Sequence, residues 1–392
     1  MDIDARIKRR QRRDEGPRLV QDYTALSPVA HLDEPSDRGP VLERLLDHLD
    51  PVFDGRLPPN AYVHGPFGSG KTAIVTALFT HLEQLSVDAQ SVIHTSTRAG
   101  SSSATPRFVY VDVRETNTEF AFYHRVLDAL VEPSVPEHGI GTDEVRRRLH
   151  DVVDNAHTGV VVAADHVGPP DDTEGVDVVS LFAGLPSNVS WVAIGRAPPE
   201  DVAVTEYTAR SIAVEPYRRQ MLVDVLMARA SVGLAPQALD HALARRISEW
   251  AEGNAHDAIA ALFVATDHAN DAARSRLTEA DVDAALDAMP RPSVSLGRVL
   301  SLPTNKQLVL RELVDLDAAD RETVTATTEA ISASPAVDLS AGTVKRYLYE
   351  LAEDGVVERV QAATSDGKGR PPSRVELRFP AAAFRRLYDG QQ

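Results

Sequence analysis

Eight consecutive residues combine glycine, lysine and threonine in an order that can hold a phosphate group. They read Gly65-Pro66-Phe67-Gly68-Ser69-Gly70-Lys71-Thr72, which is the pattern G-x-x-x-x-G-K-T. The glycines allow backbone N–H groups to turn inward around an anion, and the dipole of a following helix favours negative charge there. Lys71 is expected to reach the β- and γ-phosphates of a nucleotide, and Thr72 to hold Mg²⁺. The predicted nucleotide-binding residues are Gly65, Pro66, Phe67, Gly68, Ser69, Gly70, Lys71, Thr72 and Ala73.

The residues on either side of this motif favour a loop between a strand and a helix, which is the setting that a phosphate-binding loop requires. An apolar run over residues 60–63 precedes the motif, and a helical apolar pattern follows it at Ile74, Val75, Leu78 and Phe79. A structural glycine turn is the alternative. Because motif and setting agree, the sequence predicts a site for ATP or ADP.

A second apolar run, residues 159–164, ends in Asp165. Runs of this kind suit a buried parallel strand, and an acid at such a strand end binds Mg²⁺ directly or through water in P-loop proteins. We expect this strand to lie beside the one that leads into the glycine loop. The alternative is an ordinary turn aspartate.

Strand and helix patterns alternate over residues 26–215, which predicts an α/β domain built from a parallel sheet with helices on both faces. Further strands are predicted at residues 108–113, 190–195 and 211–214. Residues 216–290 show helical patterns only and are predicted to form a helical lid. Residues 1–25 are predicted to be a flexible basic arm.

Residues 297–392 read as helices followed by two strands, which is the pattern of a winged-helix domain. The helix predicted at residues 341–353 buries Val344, Leu348 and Leu351 and leaves a polar face for the major groove. The predicted DNA contacts are Thr343, Lys345, Arg346 and Tyr347 on this helix, and Lys368, Arg370 and Arg374 on the wing. A solvated helix face and a charged loop are the alternative.

The composition is that of a globular protein with an unusual charge. The 392 residues carry a net charge of −17, with 35 Asp, 23 Glu and five Lys. An Asp-rich, Lys-poor surface suits concentrated salt, although GC-rich codon usage gives a similar bias. The absence of cysteine excludes disulfides, thiol catalysis and zinc–thiolate sites. No secretion signal and no apolar run of about 18 residues is present, so we expect a cytoplasmic protein without a membrane partner.

Several short motifs occur in an order and spacing typical of one family. Ser27-Pro28 and Arg38 precede the first long helix, residues 108–118 read FVYVDVRETNT, Glu215-Pro216-Tyr217 opens the lid, and Leu302-Pro303 opens the winged helix. The chain resembles, over residues 27–380, the archaeal origin-recognition and cell-division-cycle-type replication initiators of the AAA+ superfamily. The resemblance implies ATP or ADP with Mg²⁺ as cofactors and origin-like sites on double-stranded DNA. It also implies the replicative helicase and related initiators as partners.

The chain departs from that family at three positions expected near the nucleotide. His166 stands where AAA+ ATPases usually place the Glu that polarises the attacking water, and a charged imidazole there would repel Mg²⁺. Arg196 stands where an Asn or Thr is expected, and His256 stands where the lid normally returns an Arg to the phosphates. Asp165, His166 and Arg196 are thus the candidate catalytic residues, and His256 is a candidate phosphate contact. Ordinary polar roles are the alternatives for His166, Arg196 and His256.

Three functions are compatible with these residues. The first is an initiator-like switch that binds nucleotide and DNA and hydrolyses ATP weakly or not at all. The second is a winged-helix DNA-binding regulator in which the nucleotide is structural. The third is an oligomeric AAA+ ATPase, which the missing Glu and Arg disfavour.

Overall fold

The computed structural model describes residues 18–31, 38–95, 106–116, 118–155, 159–168, 177–361 and 373–390. The contacts of the chain divide it into two compact units, residues 31–218 and residues 18–30 with 219–390. The first 17 residues of the predicted basic arm lie outside the described residues, as do Lys368 and Arg370.

In the described part of residues 31–218, five strands form one parallel sheet in the order β2-β3-β4-β1-β5. The strands are β1 (Ala61–His64), β2 (Arg107–Asp112), β3 (Val160–Val167), β4 (Val189–Gly195) and β5 (Arg210–Ala213). The helices of this unit are α1 (Gly39–Leu49), α2 (Lys71–Thr95), α3 (Glu119–Asp128), α4 (Thr142–Asn155) and α5 (Val178–Ala183).

Both faces of the sheet are buried, since successive side chains on a strand point to opposite sides. Tyr62 packs with Phe122 and Trp191 in one apolar cluster, whereas Val63 packs with Ile74 and its neighbours in the other. The predicted sheet with helices on both faces is confirmed. We expected β3, which carries Asp165, to lie beside β1, which leads into the glycine loop. That prediction is wrong, because β4 lies between them.

The second unit contains the helices of the predicted lid, and residues 18–30 pack against them. The lid helices are α6 (Arg219–Gly233), α7 (His241–Ala251), α8 (Ala255–Asp271) and α9 (Glu279–Ala288). Val20 forms a β-bridge with Leu234, and Leu26 lies fully buried in a single helical turn, Tyr23–Leu26. Residues 18–25, which were predicted to belong to the flexible arm, therefore pack against the lid helices.

One buried side chain fastens this N-terminal segment to the lid. The guanidinium of Arg229 on α6 donates hydrogen bonds to the carbonyl oxygens of Ala25 at 2.9 Å, Ser27 at 3.0 Å and Ala30 at 2.7 Å. A buried guanidinium requires such acceptors, since a desolvated charge without hydrogen bonds is costly. Residues 25–30 are thus a fixed part of the second unit.

The predicted winged-helix elements belong to the same unit. The helices are α10 (Leu296–Leu300), α11 (Thr304–Asp315), α12 (Val324–Ala333), α13 (Ala341–Glu353) and α14 (Ala381–Asp389), and the antiparallel strands are β6 (Val357–Gln361) and β7 (Ser373–Leu377). Ser340 caps α13 by accepting a hydrogen bond from the amide of Thr343. Val344, Leu348 and Leu351 are fully buried, as predicted from their spacing. No helix among the described residues is long and apolar enough to span a bilayer.

Candidate functional site

The glycine loop has a backbone that only small residues adopt easily. Gly68 and Gly70 have φ angles of 74° and 82°, in the left-handed region that favours glycine. A Cβ atom on Gly70 would lie 2.6 Å from the hydroxyl oxygen of Tyr217. The loop runs directly into the N-terminus of α2 at Lys71, so backbone N–H groups and the helix dipole converge there.

Lys71 is nearly buried and folds back over the loop. Its ammonium donates hydrogen bonds to the carbonyl oxygens of Gly65 at 2.8 Å and Pro66 at 2.9 Å. Burial lowers the pKa of Lys71 to about 8, although the nearby carboxylate of Asp165 opposes that change. Desolvation disfavours the charged form of Lys71, and the two carbonyl oxygens compensate by accepting hydrogen bonds from its ammonium.

This pKa predicts that nucleotide affinity depends on pH above neutrality. Below pH 8 the ammonium is charged before binding, so affinity should be flat. Above pH 8 the Lys71 ammonium of the free protein loses its proton, whereas a bound triphosphate would keep that ammonium protonated. Nucleotide binding must then take up a proton, so Kd should rise by up to about tenfold per pH unit. Calorimetry in two buffers of different ionisation enthalpy measures the proton uptake. Lys71→Arg, which stays charged, should remove the dependence, whereas a flat wild-type Kd from pH 7 to 9.5 would contradict the prediction.

The two predicted metal ligands, Thr72 and Asp165, are in direct contact. Its Oδ2 atom accepts hydrogen bonds from Thr72 Oγ1 at 2.6 Å and from the Tyr110 hydroxyl at 3.0 Å, and the residue is 2% exposed. Burial, together with the carboxylates of Asp165 and Asp112, raises the pKa of Tyr110 well above its ordinary value. Tyr110 therefore stays protonated and donates to Asp165, a contact that the sequence did not predict.

His166 has a strained backbone at a break in the sheet. Its φ angle is 65°, which is rare outside glycine, and the register between β3 and β4 shifts between Ala164 and Val167. The imidazole of this residue faces two carboxylates. Its Nδ1 atom lies 3.3 Å from Asp112 Oδ1 and 3.6 Å from Asp165 Oδ1.

Asp112, which lies beside His166, is stabilised as a carboxylate anion. Burial alone would raise its pKa, but the proximity of His166 and the Arg114 guanidinium outweighs burial and holds the pKa well below its usual range. Arg114 grips the carboxylate with two hydrogen bonds, at 3.0 Å from Nε and 2.6 Å from Nη2. Asp112 and Arg114 are further site residues that sequence reasoning missed.

Two arginines lie against the glycine loop. The Arg196 guanidinium lies 4.6 Å from the centre of the Phe67 ring, so the structure brings this predicted residue to the loop. Arg38 lies 3.5 Å from the centre of the Tyr217 ring and donates a hydrogen bond to the carbonyl oxygen of Ser69 at 2.5 Å. Arg38 and Tyr217 were noticed only as family motifs, yet they support the loop directly.

His256 is engaged within its own unit. Its Nε2 atom accepts a hydrogen bond from the amide of Leu296 at 3.2 Å, and its Nδ1 atom lies 3.3 Å from Asp257 Oδ1. Asp257 also accepts a hydrogen bond from the Ser293 hydroxyl at 2.5 Å. These contacts tie α8 to the segment that leads into α10. A phosphate contact by His256 stays a prediction.

The polar face of α13 is partly exposed. Lys345 and Arg346 are exposed, whereas Thr343 and Tyr347 are half-buried. The Arg346 guanidinium lies 5.2 Å from the centre of the Tyr347 ring. Arg374 on β7 forms an ion pair with Glu376 at 2.5 Å.

Comparisons with known proteins identify an AAA ATPase domain and relatives among DNA replication proteins. The AAA ATPase domain family model matches residues 37–194. The ORC1-type DNA replication protein of Thermococcus kodakarensis is 24% identical over 292 residues, covering 70% of this chain and 67% of that protein. The ORC1-type DNA replication protein 5 of Halobacterium salinarum is 24% identical over 378 residues, covering 85% and 82%. The chain is thus similar to ORC1-type DNA replication proteins over most of its length.

Two solved ORC protein structures share the fold of this chain. The Aeropyrum pernix ORC1 protein in complex with DNA matches with a TM-score of 0.61 and 22% identity, over 95% of this chain and 97% of that one. The Aeropyrum pernix ORC2 protein in ADPNP–ADP complexes matches with a TM-score of 0.55 and 16% identity, over 95% and 98%. The acidic composition and the Halobacterium relative fit a halophilic branch of the ORC1-type proteins.

Proposed function

We propose that this protein is an ORC1-type initiator that binds ATP or ADP and origin-like double-stranded DNA, and that the nucleotide acts as a switch with weak or absent hydrolysis. The observation that carries the proposal is the cluster of Lys71, Thr72 and Asp165 beside a histidine in place of the usual Glu. These groups could bind a triphosphate and its metal ion, whereas the carboxylate that usually activates water is replaced by His166.

The side chains fit a magnesium ion. Thr72 Oγ1 and Asp165 Oδ2 are oxygen donors 2.6 Å apart, and Mg²⁺ prefers a few protein oxygens completed by water and phosphate oxygens. The ion would supply neutralisation of phosphate charge. For its own contact with phosphate, the Lys71 ammonium must leave the carbonyl oxygens of Gly65 and Pro66.

The position of His166 supports weak hydrolysis. A general base needs a free lone pair directed at the attacking water. Nδ1 of His166 faces the carboxylates of Asp112 and Asp165, so Nε2 is the nitrogen left for that role. The support for weak hydrolysis therefore comes from the replacement of the usual glutamate by a histidine with a strained backbone.

The exposed face of α13 supports DNA binding by the winged helix. Arg346 and Lys345 project into solvent from a helix whose other face is fully buried. Helices of this kind enter the major groove, where arginine pairs with guanine. We propose the replicative helicase and related initiators as protein partners, since the ORC1-type relatives are DNA replication proteins.

Duplex binding measured by anisotropy at molar KCl, with ATP, ADP or no nucleotide, tests the switch. We expect affinity for origin-proximal repeats to change by about tenfold between nucleotide states, a coupling of ordinary size. Equal affinity in all three states, with binding confined to promoters in a genome-wide occupancy map, would favour the regulator with a structural nucleotide. Steady turnover above about 1 s⁻¹ would favour the oligomeric ATPase.

Replacing His166 by glutamate should raise the ATPase rate. A carboxylate directed at water restores the missing base, and general-base catalysis typically contributes about 10²–10⁴-fold. His166→Gln is the matched control, since it keeps polarity without a base. A double variant, His166→Glu with Asp112→Asn, removes repulsion from Asp112, which lies 3.3 Å from the imidazole. Rates as low as wild type in both glutamate variants would show that His166 is not the limiting defect.

A further inference from the structure

The hairpin of the winged helix has two faces with different charge. Its register pairs Glu358 with Glu376 and Val360 with Arg374 on one face, and Arg359 with Val375 on the other. Val375 is 5% exposed, so the face that carries Arg359 is the one that packs onto the domain. Arg359 itself is exposed, farther along β6 than the buried Val357.

Arg359 is held against α13 by a ring. Its guanidinium lies 4.3 Å from the centre of the Tyr349 ring, and it donates a hydrogen bond to Ser373 Oγ at 3.3 Å. The ammonium of Lys345, one helical turn before Tyr349, lies 6.0 Å from the centre of the same ring. Among the described residues, no carboxylate forms an ion pair with Arg359. Two cations thus flank one aromatic side chain between the groove-reading helix and the wing.

Arg374 has the opposite surroundings. Its Nε and Nη2 atoms donate to Glu376 Oε1 at 2.9 Å and 2.5 Å, and Glu358 lies across the strands from Glu376. The Arg374 charge is therefore neutralised on an acidic face. A phosphate would have to displace a carboxylate already in place and would meet a second one.

We infer that Arg359, together with Lys345, contacts the phosphate backbone of DNA bound to α13, and that Arg374 does not. The inference rests on the proposed DNA binding and names the backbone-contacting cations of that interface. Stacking on Tyr349 and the bond to Ser373 fix the guanidinium before binding, so little side-chain freedom is lost when a phosphate arrives. Phosphate contacts of this type set the register of the helix in the groove.

The salt dependence of binding tests the assignment. The probe is a fluorescein-labelled 30-base-pair duplex of mixed sequence, titrated with the full chain between 0.1 and 1 M KCl. Arg359→Ala should reduce the slope of log K against log [KCl] by about 0.9, which corresponds to about eightfold weaker binding at 0.1 M relative to 1 M. Arg374→Ala should leave the slope unchanged. Tyr349→Leu should weaken binding in the same direction as Arg359→Ala, and Tyr349→Phe, which keeps the ring, should restore it.

Melting temperatures equal to wild type exclude misfolding of the variants. An unchanged slope in Arg359→Ala, with normal binding by the wild-type chain, would overturn the inference and leave DNA binding intact. A reduced slope in Arg374→Ala equal to that in Arg359→Ala would also overturn it. Failure of the wild-type chain to bind any duplex would refute the proposed function together with the inference.

Discussion

Replacing Lys71 by alanine should abolish binding of ATP and ADP. The ammonium is the cation at the N-terminus of α2 that can reach the phosphates, and charge-assisted hydrogen bonds contribute about 1.5–3 kcal/mol each. Loss of two such bonds predicts affinity weaker by about 100-fold or more. Titration calorimetry with magnesium at molar KCl measures the loss directly.

The fold should tolerate this change. The folded pKa of Lys71 is about 8, below the ordinary value of 10.5. The charged form therefore destabilises the fold below pH 8, and this penalty disappears as pH rises from 8 to 10.5. Alanine removes the penalty, so the melting temperature at pH 7 should not fall without nucleotide. Arg56→Ala, which breaks an exposed ion pair with Asp54 in the same unit, is the control and should bind normally. Equal ATP affinity in wild type and Lys71→Ala would contradict the assignment.

Replacing Arg346 by alanine should remove most of the preference for specific DNA sites. An arginine that pairs with guanine contributes about 1–3 kcal/mol of discrimination, or roughly 5- to 150-fold in relative affinity. The side chain is 64% exposed and lies 3.7 Å from Glu350, so its loss should cost the fold little. Competition between the wild-type chain's preferred duplex and mixed-sequence DNA measures the ratio.

A matched arginine separates base recognition from net charge. Arg385 on α14 lies in the same unit, is half-exposed and pairs with Asp315 at 2.7 Å. Arg385→Ala should keep the specificity ratio, because the same charge is lost away from α13. Unchanged footprints in Arg346→Ala would contradict the base contact.

Local patterns predicted the elements that position the nucleotide site. The glycine loop, the apolar runs and the spacing of Val344, Leu348 and Leu351 depend on neighbours within one strand or helix, so they can be read in one dimension. The place of β4 between β1 and β3 depends on chain topology and was predicted wrongly. Helices α4, α5, α10 and α14 were not predicted, although α4 has charged residues at a helical spacing.

The partners of the site residues required the fold. Tyr110 lies 55 residues from Asp165 along the chain and Arg38 lies 31 residues from Ser69, so no local pattern joins them. The same limit applies to the wing. Arg374 and Arg359 look alike in the sequence, and only the strand register places one beside Glu376 and the other on Tyr349.

The grip of Arg229 on residues 25–30 has a consequence for how the protein is made. Those residues leave the ribosome early, but the guanidinium that needs their carbonyl groups emerges only after the whole first unit has been synthesised. Residues 25–30 therefore complete their hydrogen bonds only after Arg229 has been synthesised. A fragment that begins at residue 219 would lack the three carbonyl oxygens that accept hydrogen bonds from the Arg229 guanidinium.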